Sequence, residues 1–156
     1  MAGHSVRVQR DILAEPADVW SVISDVERLP KVLRNVDSVE RLVGTGFVPG
    51  VEWRETRRMF GKSDTEDMRV TECEAPVRAV LESEDKGTTY ETVFELSPSS
   101  LGTRLSVTFG ARTNDANAGQ KFAWALFGPM GAKATKSALE QDLADIANAV
   151  ESNHRR

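Results

Sequence analysis

From Val36 to Arg112 the chain alternates apolar and polar residues with a period of two. Successive side chains on a strand point to opposite faces, so this alternation reads as strand, placed at 36–43, 51–60, 63–73, 77–84, 88–97 and 102–112. The separators are turn formers: Gly44-Thr45-Gly46, Pro49-Gly50, Gly61-Lys62, Ala75-Pro76, Lys86-Gly87, and Ser97-Pro98-Ser99-Ser100 with Gly102. Connections this short fit antiparallel hairpins and leave no room for crossover helices. An antiparallel sheet with one wet face must bury the other.

The flanking segments supply the cover. Residues 4 to 13 place Val6, Val8 and Arg10 on one face and Arg7, Gln9 and Asp11 on the other, which reads as a first strand. Ala14-Glu15-Pro16-Ala17-Asp18-Val19-Trp20 opens a short helix, with proline early and acids in its first turn. A second short helical piece runs from Val26 to Leu33, interrupted by Pro30. From about Asp115 to Asn153 the pattern is one long helix, with a kink or break expected at Phe127-Gly128-Pro129-Met130-Gly131. Leu139, Leu143, Ile146 and Val150 share one face of it, and Glu140, Gln141, Asp142, Asp145 and Asn148 read as a solvated opposite face. Only this helix is large enough to cover the sheet. A curved sheet gripping a helix leaves a cavity unless large side chains fill it.

The totals narrow the function classes. The 156 residues suit a single domain spanning 1–156. A net charge of −4 gives no global pull towards nucleic acid or an anionic membrane. No apolar run approaches the roughly 20 residues that cross a bilayer, and the N-terminus lacks the apolar core of a signal peptide, so membrane insertion is not expected. Cys73 is the only cysteine, which rules out an internal disulfide and makes a cytoplasmic location the natural reading.

The order of one strand, two short helices, six strands and a long helix resembles the helix-grip fold of the START-like (SRPBCC) superfamily. Four local features carry the likeness: Ala14-Glu15-Pro16-Ala17-Asp18-Val19-Trp20; Asp25-Val26-Glu27-Arg28-Leu29-Pro30; Pro76; and Gly102-Thr103-Arg104-Leu105. The bacterial single-domain branch similar to polyketide cyclases and dehydrases is the most similar part of that superfamily. The resemblance implies an α+β fold, a seven-stranded curved antiparallel sheet wrapped on a C-terminal helix. It also implies a ligand-sized apolar cavity for a lipid, polyketide or other aromatic molecule. Fold by itself does not fix function.

Strand parity suggests the lining. A turn at Gly61-Lys62 would set Trp53 opposite Val70, Glu55 opposite Met68, Arg57 opposite Glu66 and Met59 opposite Asp64. The face with Trp53, Met68 and Val70 turns inward and brings Glu55, Arg57 and Glu66 with it. Two readings stay open: the three charges pair in solvent at the hairpin's open end, or Arg57 and Glu66 form a shielded pair as polar anchors in an apolar pocket. Tyr90, Thr92 and Phe94 from the sixth strand, Phe109 from the seventh, and Phe122, Leu126 and Met130 from the helix are the other candidate ligand contacts. A buried Tyr90 phenol needs a partner or a ligand.

Much familiar chemistry is missing. His4 and His154 are the only histidines and sit at the termini, so no histidine triad or metal cluster is expected. Cys73 has no histidine to activate it. Asp64, Glu66 and Asp67 alternate across a strand without a calcium-loop glycine, so no metal or cofactor is called for. Arg54, Arg57 and Arg58 face acids and lack aromatics for stacking bases, so nucleic acid is not an expected partner. Three functions remain. The first is a carrier or sequestering protein for a hydrophobic or aromatic small molecule, as monomer or homodimer. The second is a cyclase/dehydratase-type enzyme, in which Glu55, Glu66 or Tyr90 moves protons and Arg57 polarises a carbonyl. The third is an interaction module presenting Trp124 and Phe127.

Overall fold

The alternation becomes seven strands: β1 (His4–Ile12), β2 (Val36–Val43), β3 (Glu52–Met59), β4 (Lys62–Glu74), β5 (Arg78–Asp85), β6 (Thr88–Ser99) and β7 (Gly102–Thr113). The structure, a computed structural model, describes residues 4–59, 61–85, 87–113 and 126–154. The strands form one antiparallel sheet in the order β1-β7-β6-β5-β4-β3-β2. Helix α1 (Pro16–Ile23), a single 3-10 turn (Val26–Arg28) and helix α2 (Leu29–Val32) fill the β1–β2 connection, and helix α3 (Pro129–His154) closes the fold. This is the helix grip expected from the sequence.

Three local expectations need correction. Pro30 does not interrupt the second helical piece; it lies in the first turn of α2, where its missing N–H has no intrahelical partner to lose. The β3–β4 turn falls one residue earlier than Gly61-Lys62, because Met59 pairs with Lys62. Gly61 supplies the left-handed residue (φ +74°) at the second loop position. Trp53 therefore faces Met68, Glu55 faces Glu66 and Arg57 faces Asp64. Each partner moves by two residues, so every facing pair changes while the inward face is kept. The long helix, expected from about Asp115, is described from Pro129; residues 126 and 127 are helical and Gly128 bends between them and α3.

Helix α3 lays Leu143, Ile146, Ala147 and Val150 on Val8 and Ile12 of β1, Leu105 and Val107 of β7, and Val19 and Ile23 of α1. A second cluster gathers Val51, Trp53, Met68, Val70 and Leu81 under Val26. The β1–α1 corner explains why the Gly102-Thr103 pair matters. Gly102 has φ +138°, and a Cβ there would stand 2.6 Å from the Ala14 carbonyl oxygen. The Thr103 hydroxyl donates to that same carbonyl at 2.7 Å. Gly102→Ala should lower stability by about 1–3 kcal/mol through strain alone. Urea denaturation checks this, and an unchanged midpoint would mean that the corner relaxes freely.

Candidate functional site

Strand β3 delivers alternate residues Trp53, Glu55 and Arg57 to the face turned towards α3. Trp53 is 1% exposed and Glu55 8% exposed, so the reading in which these charges simply pair in solvent is excluded. The Trp53 indole Nε1 donates to Glu55 Oε1 at 3.3 Å, and Arg57 Nε donates to Glu55 Oε2 at 3.3 Å. The partner of Arg57 is not Glu66. Its Nη1 donates to Asp142 Oδ2 on α3 at 2.8 Å. Burial alone would lower the Arg57 pKa, but the carboxylates of Asp142 and Glu55 outweigh it and raise it above the ordinary value.

Asp142 corrects the reading of the helix, in which it stood with Asp145 on the solvated face. It lies four residues before Ile146 and seven after buried Thr135, on the inward stripe of a 3.6-residue period. Asp145, only 5% exposed, accepts from the Arg34 backbone N–H at 3.0 Å, from Arg34 Nε at 3.1 Å and from Gln141 Nε2 at 3.0 Å. Burial pushes the Asp142 carboxyl up against the pull of Arg57. Its Oδ1 is buried and has no hydrogen-bond partner among the described residues.

Strand β4 brings Glu66 to the same face, where Ser83 Oγ of β5 donates to its Oε2 at 3.4 Å. Burial, then repulsion from Asp64 and Glu55, pushes Glu66 up to about 7, with Ser83 and Arg57 pulling the other way. Tyr90 of β6 is buried beside this group. Burial, together with the carboxylates of Glu66, Asp85 and Asp64, raises its phenol, and a hydrogen bond with Thr88 opposes that. Asp142 and Ser83 were missed in the sequence. The signals were present: the helical spacing just given, and the parity of Ser83 with buried Ala79 and Leu81 along β5.

Beyond the charges the face becomes aromatic. Tyr90 stacks on Phe109 (centroids 5.9 Å, rings within 3°), Phe109 on Phe127 (5.9 Å) and Phe127 on His4 (5.7 Å). Leu126 is buried against Tyr90 and Ala111. Met68 is buried, while Thr92, Phe94 and Phe109 stay half-buried although they lie on the inward face. Met130 is the exception among the candidate contacts. It is 88% exposed, because its helical position matches Lys133, Ser137 and Glu140 on the outer side of α3. Phe122 and Trp124 lie outside the described residues. Phe127, expected as an exposed docking group, is half-buried in the ring stack.

Among the described residues no group of His, Cys, Asp and Glu could hold a metal ion, and no helix is long and apolar enough to cross a membrane. Arg54 pairs with Asp67 at 2.8 Å and Arg58 with Asp37 at 3.2 Å, leaving no run of free cations among the described residues of that strand. The Cys73 thiol donates to the Phe47 carbonyl at 3.3 Å, and burial raises its pKa, the opposite of an activated nucleophile. Two open grooves lie away from this face, one beside Lys31, Arg34 and Asn148, the other beside Arg7, Arg10 and Glu140.

Comparison with known proteins agrees with this architecture. The chain superposes on a protein from Thermus thermophilus with a TM-score of 0.76 at 22% identity, covering 96% of this chain and 98% of that one. A START superfamily protein from Mycobacterium smegmatis gives a TM-score of 0.76 at 18% identity, again over 96% and 98%. The di-domain ARO/CYC BexL from the BE-7585A biosynthetic pathway gives 0.69 at 17% identity, covering 96% of this chain and 49% of that larger one. Identities this low speak to the fold alone. No curated protein matches the sequence. Residues 3–151 match the family described as polyketide cyclase/dehydrase and lipid transport, and the chain belongs to that family.

Proposed function

We propose that the protein binds a hydrophobic or aromatic small molecule between the curved sheet and α3, as a carrier or sequestering protein. One observation carries this reading. The inward face joins a half-buried apolar and aromatic surface, formed by Thr92, Phe94 and Phe109, to a polar end built from Glu55, Arg57, Glu66 and Asp142. Ligand sites combine an apolar lining with a few placed polar groups in this way. A core designed only for stability would fill that face and leave out the charges, since buried ion pairs add little net stability. The lipid-transport and cyclase roles in the family description point the same way. A cytoplasmic setting goes with this reading, because the single cysteine offers no disulfide.

Native mass spectrometry of freshly purified protein, followed by denaturing extraction, tests the proposal. A retained apolar molecule of defined mass is expected. An apo mass, together with no binding of any lipid or aromatic probe, would contradict it. The second reading, cyclase or dehydratase chemistry, is favoured by Glu66 alone, whose carboxyl at about 7 is poised to give and take a proton near neutral pH.

A further inference from the structure

Resting on the ligand-binding reading above, we propose that the polar end of this site takes the hydrogen-bond-donating, non-anionic end of its ligand, an amine or a hydroxyl, and turns carboxylates away. Arg57 looks like an anchor for an acid, but its positive charge is already answered by two carboxylates. Nη1 donates to Asp142 and Nε to Glu55, so two carboxylates answer one positive charge. Glu55 is occupied on its other oxygen by the Trp53 indole. Among the oxygens of these two carboxylates, one buried acceptor is left over. Asp142 Oδ1 is buried and receives no hydrogen bond from any described residue. A buried acceptor in that state is costly until a donor reaches it, and a ligand amine or hydroxyl is such a donor.

The charges packed around the site agree. Strand β4 contributes Glu66 and, at its rim, Asp64; β5 contributes Asp85; β3 contributes Glu55; and α3 contributes Asp142. Asp145 on the same helix is held by Arg34 and adds its repulsion to Asp142. Among the described residues Arg57 is the only cation that bonds to any of the others. An incoming carboxylate would add like charge where carboxylates already outnumber cations, whereas an ammonium would relieve the imbalance and a hydroxyl would leave it unchanged. Glu66, which accepts a long hydrogen bond from Ser83, gives a second acceptor on the same face.

The test uses Nile red, a neutral fluorescent probe, displaced by three compounds that share one aromatic core: naphthylmethylamine, naphthalenemethanol and naphthoic acid. At neutral pH the amine and the alcohol should compete at least about tenfold more tightly than the acid. Asp142→Asn, which keeps the shape and removes the charge, should shrink the amine-over-acid preference by about fivefold or more, with Glu66→Gln as the parallel variant should Asp142→Asn fail to fold. Acid binding as tight as the alcohol, or a preference untouched by the variants, overturns the assignment of the polar end. Nile red binding with no competition from any of the three overturns it as well, since the site would then ignore the ligand's polar end. No Nile red binding at all strikes at the ligand-binding reading itself, and so separates the two failures.

Discussion

Arg57→Met should lower the stability of the fold by about 3–5 kcal/mol at neutral pH, because it leaves Glu55 and Asp142 buried without their shared cation. The cost comes from the two stranded carboxylates more than from the lost attraction. It should therefore shrink as the pH falls and they take up protons. The same logic fixes a second outcome: Arg57→Met combined with Asp142→Leu should recover the share of the loss that comes from Asp142, since an apolar replacement of a buried pair is often neutral, while Glu55 stays stranded. Urea denaturation at pH values above and below the carboxylate range measures both. A loss below about 1 kcal/mol would mean that the guanidinium behaves as a surface group.

Glu66→Gln should change the pH dependence of stability. Glu66 titrates at about 7 in the folded protein against its ordinary 4.5, so the folded state holds this proton more tightly than the unfolded chain does. Its contribution to stability is fully present below about pH 4.5 and is lost as the pH rises through about 7. The difference amounts to as much as about 3 kcal/mol. Glutamine cannot ionise, so the variant should gain on the wild type by that amount between acid and mildly alkaline conditions. The paired comparison cancels carboxylates that run the other way, such as Asp67, which its hydrogen bond with Arg54 holds low. A constant gap between the two proteins at all pH values would show that Glu66 is solvated.

The fold was legible because it rests on local patterns. Period-two alternation and turn residues located six strands to within two residues, and even the wrong hairpin register kept the inward face, since the error was an even number of residues. The Gly102-Thr103 corner likewise has a local cause, a backbone approach that only glycine allows. The site was less legible because its partners come from distant parts of the chain. Arg57 was expected to pair across its own hairpin, and its strongest partner lies 85 positions away on α3. Asp142 and Asp145 were assigned to water because they are charged. What brings a charged residue inside is a partner that composition does not reveal: Arg57 for the first, Arg34 for the second. Met130 shows the converse, an apolar side chain assigned to the interior that the helix period turns outwards.

A heteronuclear NMR titration of labelled protein with Nile red, followed at the tryptophan indole and tyrosine signals, tests the central claim most directly. Binding at the inward face should move the Trp53 indole resonance, since that N–H bonds to Glu55, and the Tyr90 ring resonances, since that ring stacks on Phe109. Residues along the outer grooves, such as Asn148 and Gln9, should stay in place. Shifts confined to those outer grooves, with Trp53 and Tyr90 unmoved, would place the ligand away from the Glu55, Arg57 and Tyr90 site and contradict the account.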